Sequence, residues 1–341
     1  MNIIKKIFKV REMSSFLFLI VLFLLVGCIN NSFLAPTSLL NCFNDSVVFT
    51  LLAVGIAFVI LTGEIDVSIG STLGLSAAVA STMLRDGSNW AAAILAGMLV
   101  GALIGFVNGW GVAVLGIPSL IFTLGTNGVV RGLSYVYTGG AWVENLPASF
   151  TRLAKTKLFG DLTMFYAVTI LFVIAAHIIL TRTRRGKYFI TVGDNPAGAV
   201  MVGLPATTTK IVAYVLCGLF AAAAGMLYSS RIGFITPTAG SGYEMKAIAA
   251  CVLGGISLSG GLGSLIGASI GAVIMSSVSR ILVFLGFSSD YDNTITGVLL
   301  IAIVVIDAVS QNRAAVKNRH ARLAARSGAP MEKSLEGGAR K

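Results

Sequence analysis

The stretch "GEIDVSIG", residues 63–70, sets Glu64 and Asp66 two positions apart between apolar runs, in a chain with only 11% charged residues. Paired carboxylates are common equipment for acid–base chemistry, because one group can hold a proton that the other cannot. That chemistry needs the two groups face to face. On an α-helix, positions i and i+2 do not face each other, so a shared-proton dyad is not expected. Asp66 is instead placed to cap a helix starting at Val67 by accepting backbone N–H groups. Glu64 is left open between lining a pore and making an interhelical contact.

Other catalytic equipment is sparse. There are two histidines, His177 inside an apolar run and His320 in the polar C-terminal segment. No HExxH, GxSxG or paired metal-ligand spacing occurs, so no metal site and no catalytic residue is expected. His177 reads as a buried or interfacial side chain. The one Gly-Lys pair is Gly186-Lys187, with Thr181 where a phosphate-binding GxxxxGK loop requires glycine. If ATP drives this protein, another chain binds it. Cys28, Cys42, Cys217 and Cys251 are scattered through apolar sequence without metal or CxxC spacing and read as small buried residues.

The elements that must position these residues follow from composition. The chain is 56% hydrophobic, against about 45–50% apolar and about 25% charged residues in a soluble domain. A solvated surface cannot be assembled from it, and continuous runs such as "FLFLIVLFLLVG" exclude the alternating strands of a β-barrel. The expected fold is all-α and polytopic in a membrane. The 39 glycines suit a bundle in lipid, where small residues let helix backbones approach.

Apolar runs separated by polar or Gly/Pro punctuation give about ten candidate spans: 14–30, 44–62, 66–84, 91–115, 117–138, 162–181, 210–230, 244–260, 262–286 and 293–309. The N-terminus resembles a signal peptide, but apolar spans continue to residue 309, so 14–30 is read as an uncleaved first span. The eighth and ninth runs, separated only by "SGGLG", admit a re-entrant element instead of two full crossings.

The formal charge of +11 is concentrated in three segments: four Lys/Arg in the first 11 residues, five between Arg182 and Lys210, and eight in the last 29. That clustering is what membrane orientation produces, not a nucleic-acid groove. An even number of spans before each segment places residues 1–13, the loop 182–210 and the tail 311–341 on the cytoplasmic side, flanking a transmembrane region over 14–310. The tail, poor in apolar residues, is expected to be disordered. The loop 139–161 is the longest on the outer side, with a short interfacial helix expected in it.

Two further stretches are informative. In "RTRRGKYFITVGDNPAGAVMVGLPATTTK", Asp194 or Asn195 can cap a helix whose first position is Pro196. That helix runs through Ala197 and ends at Gly203, with Pro205 blocking continuation. It is either a well-capped turn or an element that docks its small face on a partner. In "GYEMKAIAACVLGGISLSGGLGSLIGASIGA", repeated glycines weaken regular helix by about 1 kcal/mol each relative to alanine. Interrupted helices line transporter cavities, and "GEIDVSIGSTLGLS" has the same look in the first half; tight helix packing is the other reading. Glu64, Asp66, Ser68, Asn108, Asn127 and Glu244 are the candidates for helix breaks or pore lining.

Several long motifs then carry a resemblance. "GEIDVSIGSTLGLSAAVA", "IPSLIFTLGTNGVVRGLSYVYTGG", "GKYFITVGDNPAGAVMVGL" and "GYEMKAIAACVLGGISLSGGLGSLIGA" resemble, in order, segments of the sugar-type bacterial ABC importer permeases of the ribose/galactose/xylose group, over about residues 15–310. The resemblance implies an inner-membrane pore for a small polar sugar-like molecule, with no cofactor of its own. It further implies two ABC ATPase subunits, a second permease subunit (a different chain or a second copy) and a periplasmic substrate-binding protein as partners. The family's ATPase-coupling element falls on Gly193–Gly203. A proton- or sodium-coupled carrier is the rival class. It would want ionisable residues deep in the spans; the candidates Arg131, His177, Glu244, Lys246, Arg280 and Asp307 fall mostly near span ends.

Overall fold

The structure, a computed structural model, describes residues 11–288, 290–302 and 304–305. The chain divides into two units, Met1–Gly297 and Val298–Lys341. In the second, the described residues 298–302 and 304–305 are helical. The expectations for Asp307, His320 and the tail lie outside the described residues.

The first unit is helical almost throughout. Its elements are α1 (Arg11–Ile29), a 3₁₀ turn (Asn31–Leu34), α2 (Pro36–Asp45), α3 (Val47–Leu61), α4 (Ile69–Arg85), α5 (Trp90–Ala113), α6 (Ser119–Thr138) and α7 (Ala148–Lys155). A short hairpin of β1 (Lys157–Phe159) and β2 (Leu162–Thr163) follows, then α8 (Met164–Arg182), α9 (Arg184–Asp194), α10 (Pro196–Met201), α11 (Ala206–Ile232), α12 (Tyr243–Leu253) and α13 (Leu265–Phe284). Residues 291–297 are also helical.

Local chemistry sets many of these boundaries. Asn89 accepts the Ala91 N–H at 2.8 Å and Ser264 the Ile266 N–H at 3.2 Å, starting α5 and α13; each satisfies a backbone donor that the helix leaves orphaned. Gly139 adopts φ +63° and closes α6. A short helix is present in 139–161 as expected, namely α7. It lies beside a two-residue bridge in which Val143 and Ile235 exchange N–H···O=C bonds at 2.8 and 3.0 Å, tying that loop to the one after α11.

The centre of the bundle is α3, apolar on every face and buried along its length apart from Phe49, as a helix without a polar stripe must be. Around it pack α11, α13 and α12. In lipid the hydrophobic effect does not drive helix against helix, so close van der Waals packing must. The α5–α11 crossing meets that need through glycine: a Cβ on Gly218 would stand 2.0 Å from the Gly101 carbonyl oxygen, and one on Gly105 would stand 2.2 Å from that of Tyr214. Any larger residue would force the backbones apart.

Among the described residues, five helices (α1, α5, α8, α11 and α13) are long and apolar enough to cross a membrane. The α2–α3 pair, bent by 43°, raises that to six. The run 244–260 is where the sequence is least regular. It forms α12, 11 residues ending before Gly254, about 16 Å long at 1.5 Å per residue and too short for a hydrocarbon core of about 30 Å. The chain then turns back through Gly254–Ser264 into α13. A half-length helix followed by a break stands where a regular span over 244–260 was expected.

Candidate functional site

Two groups of residues stand out, one at a helix-capped loop and one at the breaks between helices. In the first, Asn195 Oδ1 accepts the Gly198 N–H at 2.9 Å and Pro196 occupies the first turn of α10. Proline has no N–H to lose there. Asp194 is the last residue of α9, so Asn195 alone is the cap. The Leu204 N–H bonds the Ala199 carbonyl at 2.9 Å and Gly203 has φ +78°, which closes the element. Asp194, Asn195, Pro196 and Ala197 are exposed. The small face of α10 is not all outward, since Ala199 is buried. What the turn presents is Val200, Met201 and Val202, at 62%, 86% and 74% exposure.

Gly193 anchors this element to the bundle. A Cβ there would lie 1.9 Å from the Leu61 carbonyl oxygen and 2.6 Å from the Gly261 nitrogen. The Gly261 N–H itself donates to the Leu61 carbonyl at 3.0 Å. The end of α9 therefore touches both the end of α3 and the loop between α12 and α13.

The second group is built on the break at 62–68. Asp66 is buried; its Oδ1 accepts from the Ser68 N–H at 2.8 Å and the Ser68 hydroxyl at 2.7 Å. Asn108, on α5, donates Nδ2 to Ser68 Oγ at 2.8 Å and approaches Asp66 at 3.4 Å. A carboxylate taken from water needs such donors to offset its lost hydration. Asp66, Ser68 and Asn108 thus form one polar cluster at the start of α4. Glu64 pairs with Lys210 at the start of α11, Nζ to Oε1 2.5 Å, so it makes an interhelical contact.

Four more side chains hold this break, none singled out from sequence: Ser119 Oγ accepts the Ile65 N–H at 3.3 Å, Thr123 Oγ1 accepts the Val67 N–H at 3.1 Å, and Tyr214 donates its hydroxyl to the Ile65 carbonyl at 3.1 Å. The fourth is Lys210. Each is an unremarkable residue on an apolar helix; only the fold brings it to residues 64–67.

Asn127 and Glu244 do not join this cluster by hydrogen bonds. Asn127 lies one turn beyond Thr123 on α6, and its Oδ1 is buried without a partner. Glu244 opens α12. Its Oε1 accepts the Gly242 N–H at 3.3 Å and its Oε2 is buried without a partner. Gly70 and Gly240 approach so closely that a Cβ on either would stand 2.3 Å from the other's carbonyl oxygen. The start of α4 thus abuts the break before α12. Arg131 donates to the Ala239 carbonyl at 2.6 Å and steadies that break. Asn108 Oδ1 is likewise buried without a hydrogen-bond partner among the described residues.

The remaining deep charges are mostly engaged with one another. Lys246 pairs with Asp292, which also accepts from Ser279 at 2.6 Å. Asp45 binds both Arg231 and Arg280. No group of three His, Cys, Asp or Glu among the described residues could hold a metal ion.

Comparisons with known proteins complete the site. Residues 38–304 match the family described as branched-chain amino acid transport system / permease component. The chain is 41% identical over 303 residues, 89% of its own length and 88% of the relative's, to the autoinducer 2 import system permease protein LsrC of Enterobacter sp. (strain 638). It is 40% identical over 297 residues (87% and 86%) to the protein of that name from Escherichia coli (strain K12 / DH10B), and 39% identical (87% and 85%) to that from Salmonella typhi. No solved structure matches.

Proposed function

Because the chain belongs to the family of sugar-type ABC importer permeases, we propose that it imports autoinducer-2 across the inner membrane, driven by ATP hydrolysed on a separate subunit. The name shared by its relatives, each covered over more than four-fifths of its length, supports this substrate. A small neutral polar molecule also suits a path with uncharged acceptors such as Asn127. Ribose or rhamnose, which share that chemistry, are the competing substrates of the same pore.

The mechanism is alternating access. The ATPase docks on α10, where Val200, Met201 and Val202 offer an apolar surface. ATP-driven closure of two ATPase subunits displaces α10 and, with it, the end of α9. Gly193 transmits the shift to the Leu61 carbonyl and Gly261, at the two breaks that interrupt the bundle. Backbone at a break can rearrange without dismantling a whole helix, so α4 and α12 can tilt while only the last turn of α3 gives way. The pore is completed by a second permease chain, a different one in the autoinducer-2 arrangement, and a periplasmic protein delivers the substrate. Both chain ends and the loop 182–210 face the cytoplasm.

The observation that carries this reading is the Gly193 contact, which joins the docking element to both breaks. Deleting Asp194–Gly203 tests it: membrane insertion persists and transport is lost. Transport that survives the deletion refutes the coupling role.

A further inference from the structure

A cavity of about 510 Å³ opens between the last turn of α8, the body of α9 and the first turns of α11. Ile179, Val212 and Leu216 form an apolar floor, and Arg185, Tyr188 and Thr208 a polar rim. The volume lies within the range of about 300–1,000 Å³ common for ligand sites. Ile179 and Val212 are 48% and 42% exposed, so the rest of the chain does not cover the floor.

Arg185 stands on the rim, and Arg182, Arg184 and Lys187 lie within three residues of it in sequence; all four are exposed. The ion pairs among the described residues use other cations. No acidic residue occurs on α8, and the one on α9 is Asp194 at its far end. Four cations with no ion pair among the described residues thus fall within six residues at the end of an apolar helix long enough to cross the bilayer, one of them on the rim of the groove.

We propose that this groove binds an anionic glycerophospholipid, its phosphodiester at Arg185 and the neighbouring cations and one acyl chain over Ile179, Val212 and Leu216. Basic residues at the end of a membrane helix sit at headgroup level and attract anionic lipid. The apolar floor lies at acyl-chain depth, where it meets hydrocarbon and not water. A free phosphate would use the rim but gain nothing from the floor, so the two parts together select a lipid. The proposal needs α8 and α11 to cross the membrane; it depends neither on the substrate nor on the direction of transport.

Native mass spectrometry of the full-length chain tests it, after release from nanodiscs of phosphatidylethanolamine with or without phosphatidylglycerol. A phosphatidylglycerol adduct is expected to persist. It falls about fivefold in Arg185→Gln, the effect of one cation near a charged membrane surface, and is retained in Arg185→Lys. In Val212→Trp, which fills the floor and keeps every cation, the adduct is lost as well. Equal retention of phosphatidylethanolamine, or indifference to both Arg185→Gln and Val212→Trp, overturns the proposal. So does full displacement by millimolar inorganic phosphate, which would show that the rim binds anions alone. Loss of the adduct on adding the cognate ATPase, with ATPase binding weakened by Arg185→Gln, would assign the cations to a protein interface and equally overturn it.

Discussion

Gly193 Cα rests against the carbonyl of Leu61, so closely that a side chain at 193 would begin 1.9 Å from that oxygen. The two residues belong to different parts of the machine, one ending the helix that leads to α10 and the other ending the buried helix α3. Their backbone contact makes a joint that cannot slide independently of the Gly261 N–H···O=C Leu61 bond beside it. In Gly193→Ala the carbonyl must move away from the added methyl. Overpacking of this kind costs about 1–3 kcal/mol. The variant should insert and bind the ATPase while ATP-driven uptake falls at least about tenfold, measured as uptake per ATP hydrolysed in proteoliposomes.

Docking on α10 predicts a different defect. Met201, at 86% exposure, is the most prominent apolar side chain of the turn. Met201→Glu should leave fold and membrane insertion intact and weaken ATPase co-purification. An anchor at the centre of an interface is worth about 2 kcal/mol or more, a loss of about thirtyfold in affinity. Size-exclusion of the assembled complex reads this directly.

The polar cluster at the break is expected to be structural. Asp66→Ala removes the acceptor for the Ser68 N–H and hydroxyl and leaves Asn108 facing an empty site. Each stranded buried donor costs about 1–3 kcal/mol. Asp66→Asn keeps an acceptor oxygen and should be milder. Thermal unfolding in detergent should rank them wild type, Asp66→Asn, Asp66→Ala.

Glu64 and Lys210, at 17% and 21% side-chain exposure, form a pair in which each partner is costly when left alone. Lys210→Met strands the carboxylate and Glu64→Gln strands the ammonium, whereas the double variant removes both charges together. A double-mutant cycle on thermal stability should give a coupling of about 1 kcal/mol, with the double variant more stable than the sum of the singles allows.

How much of this was legible in the sequence depends on whether the determinants are local. The Asn195–Pro196…Gly203 turn could be read directly, because capping and chain reversal are decided within ten residues. Most of the apolar runs likewise form helices among the described residues. The early end of α12 was legible only as one of two readings: the repeated glycines of "AACVLGGISLSGG" admitted an interrupted element, and the close approach of Gly254 to Gly267 accounts for where the helix stops. Glu64 had no assignable partner either, since Lys210 lies 146 residues away and charge at that distance carries no sequence signal. The same holds for Ser119, Thr123 and Tyr214, whose hydroxyls serve the break only after α6 and α11 have packed. For Asp66 a bond to a nearby backbone N–H was readable from position, but α4 starts at Ile69 with Ser68 as its N-cap residue, not at Val67. Asn108 as the companion of Asp66 on α5 was not legible.

The most direct test of the central claim is uptake of autoinducer-2 into vesicles bearing this permease with its partner permease, ATPase and binding protein. The account predicts uptake that requires both ATPase and ATP, is unaffected by an ionophore that collapses ion gradients, and disappears when Asp194–Gly203 is deleted. Uptake that persists without the ATPase and stops with the ionophore would contradict it and make the protein an ion-coupled carrier.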